Sequence, residues 1–155
     1  MLKDSMKDVE IVQMVEGQRI AERIPVEDLG GKRYRLEGSP GLLSGLAAGD
    51  EIELKREGFR LLKHGGNVCA QIIVSRCDTA TRNGVTRLME EIEGWLDGEM
   101  QVEGKCILVC TAPVTASFAV IEKTLDEIAR RYRAQGWMYG NVYDEDGEPL
   151  NWWPQ

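Results

Sequence analysis

The chain has 155 residues, 43% apolar and 29% charged, a globular composition that excludes a disordered polymer and allows one large domain or two small ones. Its formal net charge is −7 and unevenly spread: eleven basic and twelve acidic side chains lie before Asn67, eight and fourteen from Asn67 onward. An acidic surface repels phosphate, so nucleic acid and anionic membrane are disfavoured and a basic protein partner is favoured.

The opening residues 1–9 hold four charges and no apolar run, unlike an export signal. The longest unbroken apolar run is residues 106–110, far below the roughly 20 residues that span a bilayer. These features read as a cytoplasmic protein whose four cysteines are reduced.

Residues 9–15 alternate apolar and polar with one break, which predicts a strand with a bulge. A turn at Glu16-Gly17-Gln18 leads to a returning strand over 19–26. Gly30 and Gly31 predict a second turn, and residues 34–36 a short third strand. Leu42, Leu43 and Leu46, set among glycines, read as a buried loop or a single helical turn plugging a small barrel. The corner at 44–50 then feeds a half-buried strand, with Ile52 and Leu54 alternating against Glu51, Glu53 and Lys55. A tight turn at 56–58 returns the chain through 59–63. Short strands at this spacing predict a small β-barrel-like unit over residues 1–66, with His64-Gly65-Gly66 as the joint.

The second unit, residues 67–155, opens with a strongly apolar strand over 68–74. Val85, Leu88, Met89, Ile92 and Leu96 keep a helical spacing that predicts one helix ending near Gly98. Phe118, Ile121, Leu125, Ile128 and Tyr132 predict a second, beginning around Pro113 to Ser117 and ending by Gly136. Strands are expected at 100–102 and 106–111, joined by a turn at Glu103-Gly104, and at 137–143. The order strand, helix, strand, strand, helix, strand is the ferredoxin-like βαββαβ motif, an antiparallel sheet with both helices on one face. The fold class is therefore α+β.

Candidate chemistry is sparse. Cys106 and Cys110 bracket a strand segment and lie roughly 13 Å apart along it, too far to share an ion. With no Cys-x2-Cys present, the cysteines read as buried packing thiols, and no metal or cofactor is expected. His64, the single histidine, reads as a solvated joint residue rather than a general base. The glycines between 41 and 49 lack the Gly-Lys-Ser/Thr end of a phosphate loop. Glu90, Glu91 and Glu93 read as a solvated helix face. Asp144, Glu145, Asp146 and Glu148 lack the ligand ladder of a calcium loop. They are candidate partner-binding residues together with Trp152 and Trp153. The paired indoles either cover the domain or anchor a partner.

Tyr34-Arg-Leu-Glu-Gly-Ser-Pro-Gly41 and Gly45-Leu-Ala-Ala-Gly-Asp50 resemble an uncharacterised bacterial family of unknown function. In that family a short β segment ends in Gly-Leu-Ala-x-Gly-Asp ahead of a β-α-β-rich half; the likeness covers about residues 33–143 and carries no assigned activity. The last third, with Cys106-Ile-Leu-Val-Cys110 and Gly136-Trp-Met-Tyr-Gly-Asn-Val-Tyr143, is similar to the ribonuclease E inhibitor B family. That likeness implies a small acidic ferredoxin-like protein that restrains a nuclease. The reading is a non-catalytic binding or regulatory protein that meets a basic partner, such as a nuclease or toxin, through its acidic surface. The alternative is a small-molecule sensor with its ligand between the two units or on a dimer of ferredoxin-like sheets.

Overall fold

The structure, a computed structural model, describes residues 6–154; residues 1–5 of the charged opening segment, and Gln155, lie outside the described residues. Among the described residues, nine strands form two antiparallel sheets, accompanied by two α-helices. The first sheet is a meander of β1 (Met6–Val15), β2 (Gln18–Gly30), β3 (Arg33–Leu36), β4 (Glu51–Lys55) and β5 (Gly58–Lys63), paired in chain order. Its pattern follows from alternation: Ile11, Ile24, Val26, Leu36 and Ile52 turn inward and are buried together. The expected bulge in β1 is absent, since β1 pairs with β2 without a shift from Met6↔Glu27 to Val15↔Gln18. The irregularity falls in β2 instead, between Asp28 and Gly30.

The barrel-like expectation is corrected to an open, curled sheet. Among the described residues no ladder joins β1 to β5. The two edges do approach, and a Cβ on Gly58 would lie 3.9 Å from the Val12 carbonyl oxygen. Leu43 and Leu46 fill the interior as expected, whereas Leu42 points outward and is 51% exposed.

The second sheet contains β6 (Asn67–Val74), β7 (Trp95–Val102), β8 (Lys105–Pro113) and β9 (Gly136–Tyr139), in the order β7-β8-β6-β9. α1 (Thr79–Glu90) follows β6 and α2 (Phe118–Arg131) follows β8. Val68, Ala70, Ile72 and Val74 of β6 alternate onto one face. There they bury Val85 and Met89 of α1 and Ile121, Leu125 and Ile128 of α2. Asp78 caps α1 by accepting from the Thr81 amide at 2.8 Å, and Ser117 caps α2 from the Val120 amide.

α1 ends earlier than its apolar spacing predicts. The chain leaves the helix at Glu91 and passes Gly94, where a Cβ would sit 2.4 Å from the Thr111 carbonyl oxygen. Leu96 therefore reaches the same core from strand β7, and Gly98 lies inside that strand at a register shift. The last strand is also shorter than expected, because β9 stops at Tyr139.

The opposite face of this sheet receives residues 38–50. Ala47 packs on Cys69 of β6 and Val109 of β8, while Leu43 and Leu46 of the same segment enter the first core. At the joint, a Cβ on Gly65 would fall 2.4 Å from the Gly49 carbonyl carbon and 2.5 Å from its oxygen, all backbone. Gly65→Ala should therefore cost about 1–3 kcal/mol or more, since neither strand of backbone can yield. An unchanged urea midpoint would rule out this close approach.

Candidate functional site

A crevice of about 640 Å³ opens between the two sheets. Its walls are Gln13 of β1, the loop from Gly41 to Gly45, Gln71 of β6, Met138 and Tyr139 of β9, and the following turn from Tyr143 to Asp146, with Leu150 closing one side. Four of its lining side chains, Leu42, Met138, Tyr143 and Leu150, are large, apolar and exposed by 39% to 51%.

The loop wall is held by side chains from both sheets. The Glu22 carboxylate accepts hydrogen bonds from the amides of Gly41, Leu42 and Leu43 at 2.8–3.1 Å. Gln13 donates to the Ser44 carbonyl and accepts from its amide, each at 2.9 Å. Gln71 donates to the Gly41 carbonyl at 2.8 Å, and the Gly45 amide donates to the Gly140 carbonyl at 2.8 Å. Every amide from Gly41 to Gly45 thus has an acceptor although the loop has no ladder bonds, and the wall is preformed.

The acidic wall is a tight turn. Asp144 Oδ1 accepts from the amides of Asp146 and Glu148 at 2.9 Å, and the Asp144 amide donates to the Glu148 carbonyl. Asp144, Glu145 and Asp146 line the crevice; Glu148 is exposed but is not among the lining residues. Trp152 and Trp153 are half-buried and pack against the second core. Trp152 stacks on His64 with ring centroids 5.1 Å apart and donates to the Asn141 carbonyl at 2.7 Å, and Trp153 meets Phe118 edge to face. Of the six residues singled out from sequence, three therefore meet in the crevice.

His64 is not simply solvated. Its Nδ1 lies 3.9 Å from Asp50 Oδ2, and burial moves its pKa down. Asp50 is 1% exposed and accepts from the amides of Ala47 at 2.9 Å and Gly65 at 2.7 Å. Desolvation outweighs those two amides and pushes its pKa up to about 6.

A second buried chain crosses the seam. Thr111 donates to Asp97 Oδ2 at 2.6 Å, so Ser39 Oγ, 2.6 Å from Thr111 Oγ1, donates to Thr111 and accepts from the Ala48 amide. Asp97 Oδ1 accepts from the Ser39 amide and from Trp95 Nε1. Burial raises the Asp97 pKa, with these donors acting against it. Each hydroxyl proton already has an acceptor, so the chain ties the units together.

Cys69 and Cys110 are buried free thiols, as expected. The expectation of four reduced cysteines is corrected at the other two, which form a Cys77–Cys106 disulfide with Cα atoms 5.9 Å apart. The nearest cysteine to Cys106 in sequence is Cys110, whereas its spatial partner, Cys77, lies before α1. Among the described residues, Cys77, Glu99 and Cys106 also place their ligand atoms within 4.8 Å of one another.

Fold and site together define an α+β protein of two antiparallel sheets with a preformed crevice at their seam. The chain belongs to the family described as a domain of unknown function, DUF4265, whose profile matches residues 22–138. A hypothetical protein from Neisseria gonorrhoeae has a similar crystal structure, with a TM-score of 0.60, 15% sequence identity, and coverage of 87% of this chain and 94% of that one. At that identity the likeness bears on the fold alone. No curated protein matches the chain, and the likeness to the ribonuclease E inhibitor B family has no counterpart among these matches. No helix among the described residues is long and apolar enough to cross a membrane.

Sequence reasoning passed over Gln13, Leu42, Gln71, Met138 and Tyr143 as site residues. The available signal was a polar residue inside an otherwise apolar strand, as at Gln71. Two expectations follow. Glu22→Ala strips a charged acceptor from three amides and should cost about 1.5–3 kcal/mol in denaturant unfolding, with faster amide exchange at Gly41 to Leu43. The folded Asp50 pKa lies above its unfolded value, so its stabilising protonation is complete below about pH 4 and lost as pH rises through about 6. Relative to Asp50→Asn, the native chain should lose on the order of 3 kcal/mol between pH 4 and 7. A flat difference curve would contradict the buried carboxyl.

Proposed function

We propose that this protein is a non-catalytic binding or regulatory module that captures a basic, partly apolar segment of a protein partner in the seam crevice. The observation that carries the reading is the meeting of Asp144, Glu145 and Asp146 with exposed Leu42, Met138, Tyr143 and Leu150 around one cavity. Apolar contact supplies affinity there, and the acidic turn supplies orientation and steering toward cations. Restraint of a nuclease or toxin is one form such capture takes. The second unit is read as ferredoxin-like, supported by its β7-β8-β6-β9 order and by helices on one face. The closed hydrogen-bond chain of Ser39, Thr111 and Asp97 supports a structural rather than catalytic role for these residues. The cavity volume favours a second reading, a small-molecule ligand in the same crevice, since such sites span roughly 300–1,000 Å³.

Peptides pairing lysine or arginine with leucine or phenylalanine provide the test. The basic peptides should perturb the NMR signals of Met138 and Tyr143, weaken with salt, and lose at least tenfold in affinity when Asp144, Glu145 and Asp146 are all changed to lysine. Acidic versions of the same peptides should not bind. Binding unchanged by the reversal would sink the reading. Thermal stabilisation by a metabolite, about 2.7 kcal/mol at 100 times its dissociation constant, without peptide binding would favour the second reading.

A further inference from the structure

The Cys77–Cys106 pair differs from the other cysteines in its surroundings. Cys106, in β8, is fully buried on the helix-covered face, and Cys77 is half-buried in the turn between β6 and α1, one residue before the Asp78 cap. Of the two, only Cys77 is a residue with solvent exposure, so a small molecule approaches the pair from its side. The bond fastens the start of α1 to the central strand β8, closing a sequence separation of 29. Glu99 on β7 stands beside both sulfurs and is itself paired with Arg82 of α1. Cys69 and Cys110 are fully buried; desolvation pushes the Cys69 thiol up to about 12, and Cys110 up as well, which leaves both inert.

We propose that Cys77 and Cys106 form a reversible dithiol–disulfide site that exchanges with small disulfides and thiols of the glutathione class, with Cys77 as the entry sulfur. In oxidation, the Cys77 thiolate attacks one sulfur of the small disulfide. The small S–S bond breaks, a mixed disulfide forms on Cys77, and one small thiolate leaves and takes up the proton that Cys77 gave to solvent on becoming a thiolate. Cys106 then gives up its proton, and its sulfur attacks the Cys77 sulfur. The mixed bond breaks and the second small thiolate leaves and is protonated. Two protein thiols are oxidised and one small disulfide is reduced to two thiols; reduction runs the same steps backward. Access determines the order, because Cys106 meets no small molecule until Cys77 has reacted. This inference is independent of the crevice.

The test follows the full chain by intact mass and peptide mapping in graded mixtures of reduced and oxidised glutathione under native conditions. The intramolecular bond should form and be undone reversibly, with amide exchange over residues 79–82 accelerating on reduction. Cys106→Ser should accumulate glutathione on Cys77, while Cys77→Ser should take up none on Cys106. Circular dichroism confirms that each variant folds, and the native chain's own exchange tests the proposal if one does not. A bond that resists glutathione until the protein is unfolded would overturn the site. So would glutathione on Cys106 of Cys77→Ser. Stoichiometric zinc binding by the reduced chain that blocks oxidation and is lost in Glu99→Gln would make the thiols metal ligands, and would overturn it too.

Discussion

Everything in this molecule depends on satisfying the backbone of residues 38–50. The segment carries no ladder bonds of its own, yet it lies between two sheets and is partly dry. Buried amides and carbonyls without partners cost about 1–3 kcal/mol each, so side chains must supply the partners that the backbone of Leu36 and Gly140 does not. Glu22 and Gln13 reach it from the first sheet, and Gln71, Asn67 and Asp97 from the second. Asp50 folds back onto the Ala47 amide and forward onto that of Gly65, closing the corner on the joint. The same segment donates Leu43 and Leu46 to one core and Ala47 to the other face of the second sheet. The two units are thereby built around a shared wedge.

That arrangement also makes the crevice. The Gly41-to-Gly45 loop, tied to Gln71 and to Gly140 just past β9, lines a groove together with the acidic turn after Tyr143. Its walls rest on paired backbone, so little ordering remains to oppose binding, which suits a recognition site. The carboxylates divide by environment. Those on the turn are solvated and free to meet a cation, while Asp50 and Asp97 are enclosed by donors and serve cohesion.

Much of the architecture was legible along the chain because its signals are local. Period-2 alternation marked β1, β2 and β4, and the unbroken stepping from Phe118 to Tyr132 marked α2. The continuation of α1 to Leu96 was misleading for a definite reason. A side chain entering the same core from a neighbouring strand can mimic helical spacing; here the helix ends in a turn at Glu93, whose φ is 64°, before Gly94 passes close to the Thr111 carbonyl. The curled sheet read as a barrel because alternation reports which face is buried and is silent on whether the edges meet.

By itself the sequence determined the α+β class, the buried loop of Leu43 and Leu46, and the acidic character of the second half. These follow from hydrophobic periodicity, glycine placement and charge, all properties of neighbours along the chain. Tertiary structure alone decided that Cys77 meets Cys106, that Asp144 and Leu42 line one crevice, and that Trp152 stacks on His64. Each of these joins residues brought together by sheet order and by packing of the wedge, and no short-range pattern encodes such distances.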